Sequence, residues 1–334
     1  MTRKTFPRLE PDPKALEYYR LSGNDRGYSW TKLAEISLWA SGDYSVSNLN
    51  KIRSAAETLN NSPALPKAAK EKAEFILRFM HKNLLKTYSL IQTKIGVLLS
   101  NGKFNCVSSA ALYMILCGSA GLNVRGVMTK DHAFTILRIG ESDIDVETTN
   151  PYGFDPGSRK EFHDHFGRVT GFAYVPVHKY RDRQTISRIE LVSLILKNRI
   201  AGLESIGKYA DAIPIAVDRA ALLMGNVSDA GQETAEKSHG LIFEHPLKDL
   251  MALLLNYGAN LLNAGREEDC LAWAAAASFK YPDESRWQEL IYAAANNRII
   301  KYLKAGRQTD AKNFLGSQKK LINRAHYAYL ETMM

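Results

Sequence analysis

The chain has 334 residues, of which 44 are Lys or Arg and 35 are Asp or Glu, so its formal net charge is +9. With 45% hydrophobic and 24% charged residues, the composition is that of a globular protein and excludes collagen-like, low-complexity and wholly disordered chains. At roughly 150 residues per domain, the length suggests two domains. Three cysteines are too few for a disulfide framework, and their odd number favours a reducing compartment.

The N-terminal region has basic residues with no apolar stretch behind them, so no signal peptide is visible. The most apolar run, from Val107 to Cys117, is shorter than the ~20 residues that a membrane-spanning helix needs. We therefore expect a cytoplasmic protein without a membrane span. An exported protein that lacks its signal would show the same pattern, and that alternative stays open.

The predicted elements divide the chain into four segments. Residues 1–27, rich in charge, Pro and Gly, are expected to form a flexible arm, and residues 28–83 carry three helical patterns separated by breakers. Residues 84–186 contain one apolar helix and two short β-like runs, HAFTILRI and DIDVETT. Gly140 and Glu141 separate these runs and suit a type II′ hairpin turn. A turn-rich loop and a further predicted strand, GFAYVPVHKY, follow.

Residues 187–334 show helical patterns almost to the end. Gly207, Gly265 and Gly306 each stand between two helical runs, which is typical of tetratricopeptide-like (TPR-like) helix pairs. Their spacing departs from the ~34-residue period, so an unrelated helical bundle is the alternative. The predicted fold class is α+β: a buried Cys-bearing helix on a small antiparallel sheet, a helical lead-in, and an all-α C-terminal domain.

Basic side chains are concentrated near the C-terminus. Between Arg298 and His326 eight Lys or Arg residues accompany a single acid, Asp310. A basic face of this kind can contact nucleic acid, but no nucleic-acid motif accompanies it. Its spacing also fits the solvent side of an amphipathic helix. We therefore expect a protein partner rather than nucleic acid on the C-terminal helical domain.

Cys106 stands in NGKFNCVSSAALYMILC, where Asn105 is a capping residue in front of an apolar helix. A thiol at a helix N-terminus faces the positive end of the peptide dipoles, which favours a nucleophilic thiolate. Cys117 is about three turns further along the same helix and cannot bridge to Cys106. Cys117 and Cys270 are interpreted as core residues, and a buried, inert Cys106 is the alternative to a nucleophile.

A nucleophilic thiol needs a base and an acceptor that orients the base. If Gly140 and Glu141 form a two-residue turn, Ile139 opposes Ser142, and His132 and Glu147 become diagonal neighbours on one face of the hairpin. Asp145 shares that face but lies further from His132. A register slipped by one residue would place both acids on the opposite face.

Two metal sites are alternative interpretations of the His, Cys and acidic residues. His163 and His165, with Asp164 and Asp155, have a spacing that a metal could use, but no second half of a zinc motif is present. Zinc at Cys106, His132 and an acid is disfavoured by the helix N-terminal position of the thiol. We expect neither a metal nor another cofactor.

The order of a cysteine, a histidine and an acid along this sequence resembles the transglutaminase-like superfamily, which has a papain-like cysteine protease fold. The resemblance is carried by Cys106 in GKFNC, His132 in DHAF and the acid in DVETT. The helical lead-in and the C-terminal helices are similar to the SirB1-like bacterial branch. The resemblance implies that Cys106 is the nucleophile, His132 the general base and Glu147 the third member. This sequence differs from the common pattern of the superfamily, because it has Glu147 where Asp is more common.

The activity that this resemblance implies is that of a peptidase, deamidase or transglutaminase acting through a thioester on a protein or peptide. The backbone N–H of Cys106 is a natural oxyanion donor, with Asn105, Gln92 and Asp145 as further oxyanion or supporting candidates. A surface or capping role is the alternative for Gln92. The alternative function is a non-catalytic interaction module in which the core is a platform and the TPR-like helices bind a partner.

Overall fold

The computed structural model describes residues 6–22, 28–157, 162, 167–168, 183–225 and 245–334. The predicted strand GFAYVPVHKY lies outside these ranges. The helices before the sheet are α1 (Pro13–Ser22), α2 (Trp30–Ser41), α3 (Val46–Asn60), α4 (Ala69–Asn83), α5 (Ile95–Asn101) and α6 (Cys106–Ser119). Those after it are α7 (Arg188–Glu204), α8 (Tyr209–Met224), α9 (Pro246–Asn263), α10 (Glu267–Lys280), α11 (Trp287–Lys304), α12 (Gln308–Ser317) and α13 (Arg324–Thr332).

The strands form one parallel pair and one antiparallel sheet. The pair consists of β1 (Thr87–Tyr88) and β2 (Lys103–Phe104). The sheet contains β3 (Val124–Met128), β4 (Ala133–Ile139), β5 (Ser142–Val146) and β6 (Gln184–Ile186), in the order β5-β4-β3-β6. The described residues therefore confirm a mixed α+β fold with a small antiparallel sheet.

The β4–β5 hairpin has the register that the sequence predicts. Ile139 pairs with Ser142, and the ladder continues to Thr135 opposite Val146. Gly140 has φ of 60°, a left-handed value that glycine adopts without strain at the first position of a type II′ turn. The ladder stops at Val146, after which the chain turns back on itself.

Helix α6 is the centre of the first hydrophobic core. Every residue from Cys106 to Cys117 is buried, because α2, α4, α7 and strands β3 and β4 all pack against it. This explains why α6 is apolar on all sides, unlike a surface helix. The helices of the predicted lead-in thus supply part of the covering of α6.

The second core lies among helices α8 to α13. The helices α7 and α8, α9 and α10, and α11 and α12 form three helix–turn–helix pairs, whose turns contain Gly207, Gly265 and Gly306 at φ of 71°, 68° and 70°. Only glycine adopts such angles routinely at the end of a helix. Among the described residues, no helix combines the length and apolar character of a membrane span.

Helix α7 is shared by the two cores. Leu191, Val192 and Ile195 belong to the first core, whereas Ile200 and Leu203 pack against the second. The predicted segment boundary at residue 187 therefore falls immediately before a helix that contributes to both.

The described part of the expected flexible arm is packed against the rest of the chain. Phe6 and Leu9 pack against the second core, and Tyr18 on α1 is 1% exposed. The Asp218 carboxylate on α8 accepts hydrogen bonds from Asp12 N at 2.7 Å and from the Arg8 guanidinium at 2.7 Å. Residues 6–22 are therefore anchored rather than loose. The local composition could not predict this, because the anchors lie about 200 residues further along the chain.

Candidate active site

Cys106 is the first residue of α6 and is 9% exposed. The Asn105 side chain accepts a hydrogen bond from Ser108 N at 3.0 Å, and the Ser108 hydroxyl accepts one from Asn105 N at 2.9 Å. This reciprocal capping box fixes where the helix begins. It holds the Cys106 thiol at the positive end of the helix dipole.

His132 ends a tight turn between β3 and β4. Thr129 N donates a hydrogen bond to the His132 carbonyl at 2.9 Å, which closes the turn. Because Met128 pairs with Ala133, the β3–β4 ladder begins directly behind the histidine. The imidazole ring stacks on Phe134 at a centroid distance of 6.1 Å. The side chain of His132 is thus held by regular strand pairing on its C-terminal side.

Glu147 follows β5 in a compact turn that depends on Gly153. Glu147 N donates to the Gly153 carbonyl at 2.7 Å, and a Cβ on residue 153 would lie 2.0 Å from the Glu147 carbonyl oxygen. No side chain fits at that separation. A glycine is therefore required at position 153 for the turn that presents Glu147.

The His132 and Glu147 side chains are in direct contact. His132 Nε2 lies 2.6 Å from Glu147 Oε2, and the two side chains are 18% and 3% exposed. The other carboxylate oxygen, Oε1, accepts from Thr149 N at 3.1 Å and from the Thr149 hydroxyl at 2.7 Å. The contact expected from the hairpin register is therefore present, and both oxygens of Glu147 have partners.

The electrostatics of the pair favour two opposite charges. Burial opposes a charged His132, but the Glu147 carboxylate and hydrogen bonds with Cys106 and Glu147 raise the pKa of His132 well above its usual value. Burial also opposes an ionised Glu147, but His132 and the Thr149 hydrogen bonds lower the pKa of Glu147. Since Nε2 of His132 is directed at Glu147, Nδ1 is the nitrogen available for the Cys106 thiol.

A buried hydroxyl pair connects the Glu147 turn to the Cys106 helix. The Ser109 and Thr148 hydroxyls are 2.8 Å apart, and the Ser109 hydroxyl also donates to the Cys106 carbonyl at 3.2 Å. The Thr148 carbonyl lies 3.1 Å from His81 Nε2 on α4. These contacts fix the distance between the segments that carry the thiol and the carboxylate.

The supporting candidates from the sequence have other partners. Asn105 caps α6 and donates from Nδ2 to the Leu90 carbonyl at 3.2 Å. Gln92 donates from Nε2 to the carbonyls of Lys94 in its own loop and Lys103 on β2, at 2.8 and 3.0 Å, so both amide hydrogens are already used. Asp145 forms a bidentate ion pair with Arg183. The structure brings Asn105 to the cleft described below, but not Gln92 or Asp145.

The metal alternative cannot be placed, because His163, Asp164 and His165 lie outside the described residues. Asp155, the fourth member of that set, pairs with Lys70 at 3.2 Å. Among the residues that the structure describes, no cluster of three His, Cys, Asp or Glu side chains has a metal-binding arrangement.

The two other cysteines are buried. Burial raises the pKa of the Cys117 thiol. Burial, with a smaller contribution from Glu267, raises the pKa of Cys270 to about 12. Both thiols are therefore held in their neutral form, as expected for core residues.

Cys106 and His132 open into a cleft of about 450 Å³. One wall is the loop before α5, where Leu90 and Ile91 are exposed. Helix α7 and its C-cap also line the cleft, through Leu194, Lys197, Asn198, Ala201, Gly202 and Ser205. A substrate entering the cleft would therefore contact the helix that joins the two cores.

Several of these residues were missed by reasoning from the sequence. Gly153 had a signal, the turn-forming run NPYG, but its necessity for Glu147 appears only in the folded chain. Tyr88 on β1 is another: burial first, then Cys106 and Glu147, raise its pKa, so its phenol stays neutral near the site. The α7 wall had no local signal, because about 90 residues separate it from Cys106.

No protein-family model matches the sequence, and no curated protein is significantly similar to it. Among solved structures, the chain is similar to menin, whose crystal structure is described as revealing the binding site for Mixed Lineage Leukemia (MLL) protein. That match has 13% sequence identity and a TM-score of 0.43, and it covers 91% of this chain and 79% of the menin chain. Similarity at this level assigns neither a fold nor a function.

Proposed function

We propose that this protein is a cysteine-dependent amide hydrolase or acyl transferase with a transglutaminase-like core, acting on a protein or peptide. The observation that carries the proposal is the contact of 2.6 Å between His132 and Glu147 beside Cys106, in a cleft open to solvent. A buried ion pair is weak evidence for stability. Together with a thiol at a helix N-terminus, it is the arrangement that nucleophilic catalysis needs.

In the first step, the Cys106 sulfur attacks an amide carbonyl and a C–S bond forms. The raised pKa of His132 keeps its ring protonated, so His132 can give a proton to the nitrogen as the C–N bond breaks. The amine leaves and a thioester remains. Glu147 accepts from Nε2 throughout and orients the ring so that Nδ1 faces the reacting atoms.

In the second step, water or an amine attacks the thioester carbonyl. His132, now neutral, takes a proton from the attacking group, and the C–S bond breaks to regenerate the thiolate. Water gives a carboxylic acid, whereas an amine gives a new amide. In both steps the N–H of Cys106 can donate to the oxyanion, because N–H groups in the first turn of a helix have no intrahelical acceptor.

Alkylation with iodoacetamide tests whether Cys106 is activated. We expect Cys106 to react at pH 7 at least about tenfold faster than glutathione, because only the thiolate reacts. The His132→Ala variant should lose most of this advantage, whereas His326→Ala, a histidine on α13 far along the chain, should keep it. A Cys106 that reacts no faster than glutathione would leave only the non-catalytic interaction module.

A peptide library incubated with the wild type and with Cys106→Ala separates the reactions. Mass spectrometry distinguishes the outcomes, because cleavage, deamidation and cross-linking each produce a different mass change. We expect at least one of these changes with the wild type and none with Cys106→Ala. A library left unchanged by an alkylation-competent wild type would contradict a protein or peptide substrate.

A further inference from the structure

The Leu90–Ile91 pair, which we name the apolar lip, is exposed at the mouth of the cleft beside Cys106. Leu90 is 60% and Ile91 89% exposed. The backbone of the pair is held in this position, because Asn105 donates to the Leu90 carbonyl and Gln92, the next residue, donates to the carbonyls of Lys94 and of Lys103 on β2. Adjacent apolar side chains that are fixed in solvent gain free energy when a ligand covers them.

Helix α7 contributes to the lining of the same cleft a glycine, Gly202, that nothing in the fold requires. A Cβ at Gly202 on α7 would have no neighbour within 4 Å, and the residue has an ordinary helical backbone. Glycine inside a helix is destabilising relative to alanine. Neither close packing nor backbone conformation requires Gly202, and its missing side chain leaves open space where α7 lines the cleft.

We propose that the cleft selects an extended peptide segment whose residue next to the scissile amide is large and apolar. This inference rests on the proposed function of Cys106. The apolar side chain lies on the lip, and the peptide backbone passes along the face of α7 at Ala201 and Gly202. The volume of about 450 Å³ falls within the range of roughly 300–1,000 Å³ that ligand sites occupy.

The selectivity can be measured without knowing the substrate. Iodoacetamide and N-benzyliodoacetamide carry the same reactive group, and only the second has a large apolar substituent. For each reagent the rate at Cys106 is divided by its rate with glutathione. We expect this normalised rate to be about tenfold higher for the benzyl reagent, the factor that burial of roughly 60 Å² of apolar surface gives.

Two independent variants locate the effect in the cleft. Ile91→Ser removes half of the apolar lip, and Gly202→Phe fills space on the α7 side of the cleft. Each variant should lower the normalised rate of the benzyl reagent to near the normalised rate of iodoacetamide. The matched controls are Phe279→Ser, at another exposed apolar residue, and Gly316→Phe, at another helical glycine whose Cβ would meet nothing. Both should keep the wild-type preference.

The outcomes separate this proposal from the proposed function. Equal normalised rates for the two reagents in the wild type would overturn the proposed selectivity of the cleft. A wild-type preference that persists in both Ile91→Ser and Gly202→Phe would overturn it as well. Failure of the proposed function shows instead as a slow reaction with iodoacetamide itself. The preference between the two reagents is still measurable in that case, so the groove is judged on its own result.

Discussion

At the scale of single residues, Glu147 determines the charge state of the site. Its Oε2 is in contact with His132, and its Oε1 accepts two hydrogen bonds from Thr149. Burial alone would favour a neutral histidine. The positive charge on His132 therefore depends on a carboxylate that is itself held ionised by its neighbours.

Replacing Glu147 with Gln should remove that support. We expect the pKa of His132, followed by NMR titration of its ring protons, to fall well below the wild-type value, because burial then acts against less opposition. Alkylation of Cys106 at pH 7 should slow by about 100-fold or more, since the ring also loses its orientation. Asp145→Asn, which alters the partner of Arg183, is the control. An unchanged pKa in Glu147→Gln would contradict this account.

The same substitution should change how stability depends on pH. The raised pKa of His132 stabilises the folded state below the unfolded value of about 6.5, and this contribution is lost as pH rises through the folded pKa. The lowered pKa of Glu147 contributes above about 4.3, and that contribution is lost as pH falls through the folded pKa. Urea denaturation should therefore show the largest difference between wild type and Glu147→Gln between about pH 4.3 and 6.5.

Gly153 offers a second test at this scale. Because an alanine Cβ would lie 2.0 Å from the Glu147 carbonyl oxygen, Gly153→Ala should destabilise the protein by on the order of 2 kcal/mol and slow alkylation of Cys106. Gly316→Ala, in open helical surroundings, should instead be neutral or stabilising by up to about 1 kcal/mol. The change in the free energy of unfolding should thus be a loss for Gly153→Ala and no loss for Gly316→Ala. Equal effects would mean that the turn adapts to a side chain.

At the scale of elements, the β4–β5 hairpin was predictable because its information is local. Gly140 fixes the turn, and the alternation of side chains then fixes the register as far as the Thr135–Val146 pair. The conformation beyond Val146 was not predictable, because it depends on Gly153, on the Ser109–Thr148 contact and on His81. These partners lie in three separate parts of the sequence.

Asn105, the N-cap of α6, makes two different contacts with its side chain. Its side-chain oxygen caps the helix that holds Cys106, and its Nδ2 donates to the carbonyl of Leu90 in the apolar lip. Helix start and lip position are therefore coupled through one amide. This role was expected only in part, since the capping was visible in the sequence and the loop contact was not.

Asn105→Ala should destabilise the protein by about 1–2 kcal/mol, because the cap is lost. Asn105→Asp keeps an acceptor for Ser108 N but loses the donor to Leu90, so we expect it to retain most of the stability while reducing the preference for N-benzyliodoacetamide. Thermal denaturation and the paired alkylation rates measure the two effects. Equal stability of Asn105→Ala and the wild type would contradict the capping role.

At the scale of the whole molecule, the N-terminal residues connect distant parts of the chain. The Asp218 carboxylate accepts hydrogen bonds from the Arg8 side chain and from Asp12 N. Lys280 forms an ion pair with Glu10 at 2.8 Å. Burial raises the pKa of Asp218 despite its hydrogen bonds. Residues 6–22 thus attach to both α8 and α10.

Asp218→Ala should destabilise the protein by about 1–3 kcal/mol, because it leaves the partly buried Asp12 N–H without its acceptor. Glu10→Ala, which removes the largely exposed carboxylate of the ion pair with Lys280, should change stability by less than about 1 kcal/mol. Chemical denaturation of the full chain compares them. A smaller effect at Asp218 than at Glu10 would contradict the anchoring role of Asp218.

The basic C-terminal stretch is partly neutralised within the fold. Arg298 pairs with Glu268 and Lys301 with Glu267, each at 2.6 Å, and these pairs join α10 to α11. Arg307, the N-cap of α12, pairs with Asp310 in the first turn of that helix. Part of the formal charge of +9 therefore serves contacts between helices.

The shared helix α7 has a consequence for how this architecture could diversify. Its N-terminal half is embedded in the core around Cys106, its C-terminal half in the helical array, and its exposed face lines the cleft. A fragment that ended at residue 186 would keep Cys106, His132 and Glu147 but lose the α7 residues that line the cleft. Exchanging α7 to α13 for another set of helices would replace this part of the lining at the same time, so the shape of the cleft could change in a single recombination event while Cys106, His132 and Glu147 stayed as they are.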